Sequence, residues 1–204
     1  MAEQQETWGM ARLDRQIAFL MEIDRLKTVL RRTLITDRSR RENTAEHSWH
    51  ITLMAMTLHE YTADPKPDLN HTIKLLLVHD IVEIDAGDTF AYDVQGYTDK
   101  EAREQAAANR IFGLLPEDQA SELMALWREF EEMRTPEAIF AAAIDRLQPM
   151  LHNYYTEGFS WKENGIRLSQ ALKRIDFVDR VSPVLSSFIK DLLQRAQVKG
   201  FLEA

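Results

Sequence analysis

The chain has 204 residues, a length typical of one domain, and its 45% hydrophobic and 28% charged residues exclude wholesale disorder. The net charge of −8 argues against a nucleic-acid partner, because such proteins usually present a basic surface. The absence of cysteine excludes disulfides, thiolate zinc sites and cysteine nucleophiles, and it is consistent with a cytoplasmic location. No apolar run approaches the ~20 residues of a membrane span, so no membrane association is expected.

The spacing of apolar residues predicts helices throughout, with no sustained strand pattern. A first helix is expected over about residues 10–29, followed by a polar, arginine-rich stretch over 31–41. The second helix should begin at Asn43, whose side chain can form a capping box with Glu46, and it should end near Tyr61.

The third helix is expected over about residues 69–84, ending at Gly87, and its nearly continuous apolar surface indicates a central, buried position. Thr98 and Glu101 are spaced as a capping box for the fourth helix. Pro116 suits the first position of the fifth. The remaining predicted elements are a sixth helix capped by Thr135, a loop over 158–165, and C-terminal helices over about 166–177 and 183–197. Together these elements predict an all-α, single-domain helical bundle over residues 1–204.

A histidine and an aspartate, His79 and Asp80, are adjacent within this apolar third helix. Glu83 lies one turn further on the same face, and Asp85 and Asp88 follow at the helix end. An isolated His-Asp pair beside a water-filled groove would be the ordinary interpretation. However, four carboxylates this close repel one another unless a cation or protons intervene, so a metal ion is the economical explanation.

Two more candidates lie elsewhere in the chain. His47 is in the first turn of the second helix, where His50 competes with it for any role in metal binding. Asp145 follows a run of three alanines, which indicates close helix packing around a carboxylate, although a salt bridge with Arg146 is the ordinary alternative. Trp161 fits equally an exposed contact with another subunit or the anchor of a loop.

The order of His47, then His79-Asp80, then Asp145 resembles the H…HD…D pattern of the HD superfamily. The resemblance is closer to its bacterial 5'-deoxynucleotidase branch and related HD-domain nucleotidases, and it covers roughly residues 10–155. The stretches that carry it are 30–34, 41–48 and 77–88, which include the motifs E-N-x-x-E-H-S and H-D-x-x-E-x-x-x-G-D.

This resemblance implies an HD-type helical bundle and assigns roles to individual residues. The implied metal ligands are His47, His79, Asp80 and Asp145. Glu83 and Asp88 become the catalytic carboxylates, and Arg32 becomes a phosphate-binding residue. Thr33 stands where the deoxynucleotidases have a tryptophan against the sugar, so this substrate-binding position does not predict a preference for deoxyribose.

Two imidazoles and two carboxylates suit one divalent transition metal ion, namely Mn, Co, Fe, Ni or Zn. Such an ion with two aspartates is nearly neutral, so a phosphate needs a further cation. Five arginines lie within residues 31–41, and arginine suits phosphate oxygens. We expect most of them to form a solvated loop that pairs with surface acids, with Arg32 as the exception.

The expected activity is hydrolysis of nucleoside 5'-monophosphates by a metal-activated water. Glu83 would accept the proton of that water, while Asp88 would either protonate the leaving oxygen or orient the nucleophile. The alternatives are a phosphodiesterase or another phosphohydrolase on the same scaffold, and a regulatory module that only binds a nucleotide. The expected partners are a small phosphorylated substrate, namely a nucleotide, and a second copy of the chain in a homodimer.

Overall fold

The computed structural model describes residues 10–93 and 95–203. Helices dominate it and the described strands form one small two-stranded sheet, so the predicted all-α class is confirmed. The elements are α1 (Ala11–Ile23), β1 (Leu30–Leu34), β2 (Arg41–Asn43), α2 (Thr44–Leu58), α3 (Leu69–Val78), α4 (Glu83–Ala86), α5 (Lys100–Phe112), α6 (Glu117–Glu132), α7 (Pro136–Tyr155), α8 (Phe159–Glu163), α9 (Leu168–Lys173) and α10 (Pro183–Val198). Within these residues, no helix combines the length and the apolar character needed to cross a bilayer.

Helix α3 lies at the centre of the molecule, as its apolar surface predicted. It packs against α2, α6 and α7, and Leu75 and Leu76 are completely buried between them. One cluster of buried side chains continues from Phe19 on α1 to Leu202 near the C-terminus. Burial of these apolar side chains is the main force that holds the bundle together.

The helices that carry the candidate residues begin where the sequence predicted. Asn43 caps α2: its side chain accepts a hydrogen bond from the backbone N–H of Glu46, and the Glu46 side chain accepts one from the backbone of Asn43. Thr135 caps α7 with a single hydrogen bond, which its hydroxyl accepts from the backbone N–H of Ala138, and Pro136 occupies the first helical position. Both caps fix the start of a helix whose next turns enter the site.

The arginine-rich stretch, which the sequence predicted to be a polar segment between two helices, instead contains β1 and β2. These strands pair antiparallel, with Leu30 opposite Asn43 and Leu34 opposite Arg41 across an irregularity in the register. Neither strand alternates apolar and polar residues, which is why the hydrophobic pattern did not indicate them. Successive side chains of β1 point to opposite faces, so Thr33 is buried while Arg32 is exposed.

The third helix ends at Val78 rather than near residue 84. Beyond it, the N–H of Ile81 bonds to the carbonyl of Val78 and the N–H of Glu83 to that of Asp80, a tighter turn than an α-helix. His79 and Asp80 lie at this turn, and their side chains approach one another, with Nε2 of His79 3.0 Å from Oδ1 of Asp80.

Several other boundaries differ from the predicted ones. The capping box of Thr98 and Glu101 does not form, because α5 begins at Lys100 and the Thr98 hydroxyl donates to the carbonyl of Gln95. Pro116 precedes α6 instead of opening it. The remaining differences are a 3₁₀ turn over Asp24–Thr28 at the end of the first predicted helix, the short helix α8 inside the predicted loop, and a C-terminal helix α9 that stops at Lys173.

Candidate metal centre and active site

The four predicted ligands meet at one point between α2, the end of α3 and α7. Nε2 of His47 is 3.0 Å from Oδ1 of Asp145 and 3.9 Å from Oδ2 of Asp80. Nε2 of His79 is 3.0 Å from Oδ1 of Asp80 and 3.7 Å from Oδ1 of Asp145. Residues up to 98 positions apart in the chain therefore turn two imidazole nitrogens and two carboxylates toward each other.

These four side chains fit a divalent metal ion. Ligand atoms about 2.0–2.2 Å from a shared ion lie roughly 3–3.5 Å from one another, close to the separations found here. Nε2 of His79 is also buried without a hydrogen bond, because the nearby Asp80 carboxylate does not have the geometry of one. A buried nitrogen without a hydrogen bond is costly, and a metal ion between the two carboxylates would satisfy it.

Opposite charges stabilise one another in this cluster. Burial alone would raise the pKa of Asp145, but the hydrogen bond with His47 and the nearby imidazoles of His47 and His79 outweigh burial and lower it well below its usual value. Burial likewise would lower the pKa of His79, yet Asp80 and Asp145 raise it well above its usual value. The surroundings thus favour ionised aspartates, the form in which a carboxylate binds a cation.

The alternative role of Asp145 as a salt-bridge partner of Arg146 is wrong. The Arg146 guanidinium lies over the ring of Phe177, 4.3 Å from its centroid, and donates to the backbone carbonyl of Arg174 at 2.8 Å. Arg146 therefore ties α7 to the C-terminal segment. The carboxylate of Asp145 is left for the two histidines.

The two predicted catalytic carboxylates are buried next to the ligands. Thr44 at the start of α2 donates a hydrogen bond to Oε2 of Glu83 at 2.9 Å. Burial and the charge of Asp80 raise the pKa of Glu83 well above its usual value. Burial also raises the pKa of Asp88, against the opposing charge of Arg31. Both groups are thus shifted toward the pH range in which a carboxyl group can exchange protons.

Arg31 is a site residue that the sequence analysis assigned wrongly to a solvated loop. Its side chain is 14% exposed, and Nη1 lies 3.0 Å from Asp80 and 3.6 Å from Asp88. The alternation of side chains along β1 places Arg31 on the same face as the buried Thr33, but no pattern in the sequence indicates that this segment is a strand. The solvated interpretation is confirmed for the arginines that pair with surface acids, namely Arg38 with Glu157, Arg40 with Glu46 and Arg41 with Glu163.

A cavity of about 260 Å³ opens beside the cluster and is bordered by Arg32 and Thr33. Arg32 is exposed and forms no ion pair within residues 10–93 and 95–203. The hydroxyl of Thr33 turns toward the carboxylate of Glu42, at 3.5 Å. Trp161 is 2% exposed and forms part of the wall, so it anchors its loop and the interpretation as an exposed contact is wrong. The cavity wall also carries aromatic rings, from Phe90, Tyr92, Tyr97 and Trp161.

His50, the competing histidine, does not join the four ligands. It lies behind them with Glu42 and His152, and these three could place their ligand atoms within 4.8 Å of one another. The amide of Gln148 lies among them, 3.4 Å from Nδ1 of His50 and 3.2 Å from Nε2 of His152. This second polar cluster could not be identified from the sequence, because its members are distant in the chain.

The known proteins that this chain resembles are named as nucleotidases and phosphohydrolases. It is 32% identical over 143 residues, 70% of this chain and 67% of the relative, to the mouse 5'-deoxynucleotidase HDDC2. It is 26% identical to the 5'-deoxynucleotidase hdd1 of Schizosaccharomyces pombe over 89% of this chain and 90% of that protein. A crystal structure of a predicted metal-dependent phosphohydrolase from Magnetospirillum magnetotacticum is 48% identical, with a TM-score of 0.91 over 97% of this chain and 99% of that one.

The family model described as HD domain matches residues 23–185, which include every candidate ligand and catalytic residue. With a match of this length and a relative of 32% identity, the chain belongs to the HD domain family.

Proposed function

We propose that this protein is a metal-dependent phosphomonoesterase that acts on nucleoside 5'-monophosphates. The observation that carries the proposal is the arrangement of ligands, buried carboxylates and arginines around one cavity. The names of its relatives, 5'-deoxynucleotidase and predicted metal-dependent phosphohydrolase, agree with this chemistry. The assignment to nucleotides as substrates rests on the aromatic and polar residues that line the cavity.

His47, His79, Asp80 and Asp145 would hold the ion, one divalent transition metal ion per chain chosen from Mn, Co, Fe, Ni and Zn. When bound, such an ion polarises a phosphate oxygen and lowers the pKa of a water molecule. The mixed nitrogen and oxygen donors are typical of sites for these metals and differ from the all-oxygen cages of calcium.

The buried carboxylates would move the protons of the reaction. Glu83, oriented by the Thr44 hydroxyl, is placed to accept the proton of the attacking water. Asp88, next to Arg31, is placed to protonate the leaving sugar oxygen or to orient the nucleophile. Both roles suit carboxyl groups whose pKa is raised by burial.

Arginine would supply the positive charge that binds the phosphate. Arg32 borders the cavity without a carboxylate partner among the residues described, so its guanidinium is available for phosphate oxygens. Arg31 is engaged with Asp80 and Asp88 and would instead balance the charge of the acidic cluster. Thr33 would contribute to substrate binding only as part of the cavity wall.

The aromatic residues on the cavity wall support a nucleoside as the rest of the substrate. Tyr92 and Tyr97 line the cavity beside Arg174, whose Nη1 lies 3.4 Å from the Tyr97 hydroxyl. Aromatic rings provide flat apolar surface for a base, and the arginine and hydroxyl provide polar contacts at its edge. A small phosphate ester without a base would leave this surface uncovered.

We further propose that the chain forms a homodimer, acts in the cytoplasm as a single domain, and does not bind nucleic acid. Trp49, Leu53 and Met56 recur at helical spacing on α2 and are exposed, which is consistent with a partner on that face. Light scattering of the purified protein would measure the assembly directly, and a monomer at working concentration would contradict it.

The test uses purified, metal-stripped protein to which each divalent ion is returned in turn. The substrates are ribo- and deoxyribonucleoside 5'-monophosphates, cyclic nucleotides and bis(p-nitrophenyl) phosphate. We expect metal-dependent release of phosphate from the monophosphates, lost in His79→Ala. Activity on diesters only, or none with any ion, would contradict the proposal, and nucleotide binding without turnover would favour a regulatory module.

A further inference from the structure

A second layer of buried polar side chains lies behind the proposed ligands. Glu42 from β2 and Gln148 from α7 are 2% and 0% exposed, and both lie against the imidazole of His47. A buried polar group is costly unless it is hydrogen-bonded, so the contacts that these two side chains make are important to the fold of the site. The inference below rests on the proposed metal centre and concerns how its ligand His47 is oriented.

The direction of the Gln148 side chain follows from its neighbours. Its Nε2 atom donates a hydrogen bond to Oε1 of Glu42, and an ionised carboxylate can only accept. The NH₂ group must therefore face Glu42, and the carbonyl oxygen must face His47. That oxygen lies 3.2 Å from Nδ1 of His47. Glu42 is held in turn by the hydroxyl of Thr33, at 3.5 Å.

This direction fixes the protonation pattern of the His47 ring. A carbonyl oxygen is only an acceptor, so Nδ1 must carry the proton that it receives. Nε2, which faces Asp145 and Asp80, is then the nitrogen that can give up its proton and offer a lone pair when an ion binds. Nδ1 of His79 is likewise placed to donate, to the backbone carbonyl of Leu76 at 2.9 Å.

We propose that Gln148 is the positioning residue of the metal centre, and that Glu42 holds it in place. The chain of contacts from Glu42 through Gln148 to His47 selects the tautomer and ring direction in which Nε2 binds the ion. The corresponding acceptor for His79 is a backbone carbonyl that no side-chain substitution removes. Metal affinity should therefore depend on a side chain that touches neither the ion nor the substrate.

Glu42, His50 and His152 could instead be a second metal site, since their ligand atoms approach one another. The position of Gln148 argues against it. Its Nε2 atom donates to Glu42 and lies within 3.5 Å of ring nitrogens of both histidines, so the amide fills the space that an ion would need. The positioning role consequently predicts one bound ion per chain, not two.

The test titrates Mn²⁺ into the metal-stripped full chain and follows free Mn²⁺ by electron paramagnetic resonance. The wild type should bind one ion. Gln148→Leu should bind about 10–100-fold more weakly, the usual effect of removing a hydrogen-bond partner of a ligating histidine. His50→Gln, which changes a neighbour of Gln148 without a contact to His47, is the matched control and should bind within about twofold of the wild type.

A double variant separates positioning from mere packing. Glu42→Gln combined with Gln148→Glu exchanges the two groups, so the new carboxylate accepts from Nδ1 of His47 and the new amide donates to that carboxylate. This variant should recover most of the affinity lost in Gln148→Leu, and it serves as the test if Gln148→Leu fails to fold.

Each remaining outcome has a distinct meaning. Unchanged Mn²⁺ affinity in Gln148→Leu, or no recovery in the double variant, would overturn the positioning role alone. Two ions in the wild type and one in His50→Gln would overturn it in favour of a second metal site. A wild type that binds no Mn²⁺ would overturn the proposed metal centre as well.

Discussion

Replacing Arg31 with methionine removes an arginine that lies among the buried acidic groups of the site. Its guanidinium is 3.0 Å from Asp80, 3.6 Å from Asp88 and 3.9 Å from Glu42, and its side chain is 14% exposed. Methionine keeps much of the buried length without the charge. Breaking a buried ion pair by removing one partner costs about 3–5 kcal/mol, because the other charge stays buried and unpaired.

A bound divalent ion should compensate for much of this loss. The ion stabilises both proteins, and it should stabilise the variant more, because without Arg31 the same carboxylates bind a cation more tightly. Each tenfold decrease in Kd adds about 1.4 kcal/mol to the free energy of unfolding. We therefore expect Arg31→Met to be less stable than the wild type by about 3–5 kcal/mol in chelator. We expect that difference to shrink by at least half when a divalent ion is present. Urea unfolding with and without the ion measures both quantities.

Arg32→Met is the matched control, because Arg32 is the next residue of β1 but is exposed and has no carboxylate partner among the described residues. Its free energy of unfolding should stay within about 0.5 kcal/mol of the wild type, as for most surface substitutions. Equal stabilities of Arg31→Met and wild type in chelator would refute the charge-balancing role. A difference that the ion leaves unchanged would also refute it.

Three further changes test other parts of the site. Glu83→Gln should lower kcat by about 10²–10⁴-fold, with the metal content, measured by elemental analysis, unchanged. Near-normal turnover at equal metal content would show that Glu83 is not the base. Arg32→Met should lose about 1.5–3 kcal/mol of phosphate binding, roughly 10–150-fold in kcat/KM, and an unchanged value in steady-state kinetics would place the phosphate elsewhere. Asn43→Ala removes the capping box of the helix that carries His47, so it should lower the free energy of unfolding by about 1 kcal/mol in a urea titration. An unchanged free energy of unfolding would mean that the cap is dispensable.

The ligands could be predicted from the sequence because their signal is local. His79 and Asp80 are adjacent, Glu83 and Asp88 follow within nine residues, and crowded carboxylates in an apolar segment are costly without a cation. His47 and Asp145 were reached through family resemblance, and the structure brings them to the same point. The all-α class was predicted from the helical spacing of apolar residues, which is also a local signal.

The parts that could not be predicted depend on pairing across the chain. Arg31 enters the site because β1 pairs with β2, and neither short strand has an apolar alternation that would reveal it. The end of α3 at Val78 was missed because Ile81 and Val82 continue the apolar run through the following turn. Glu42 and Gln148, 106 positions apart, meet only after α7 packs against the sheet.

The central claim is that one metal ion is held by His47, His79, Asp80 and Asp145. Crystals of the protein grown with Mn²⁺ and measured for anomalous scattering would test it most directly. We predict one strong anomalous peak in contact with Nε2 of both histidines and a carboxylate oxygen of each aspartate. A peak among Glu42, His50 and His152, or no peak at the four ligands in crystals that retain activity, would contradict the account.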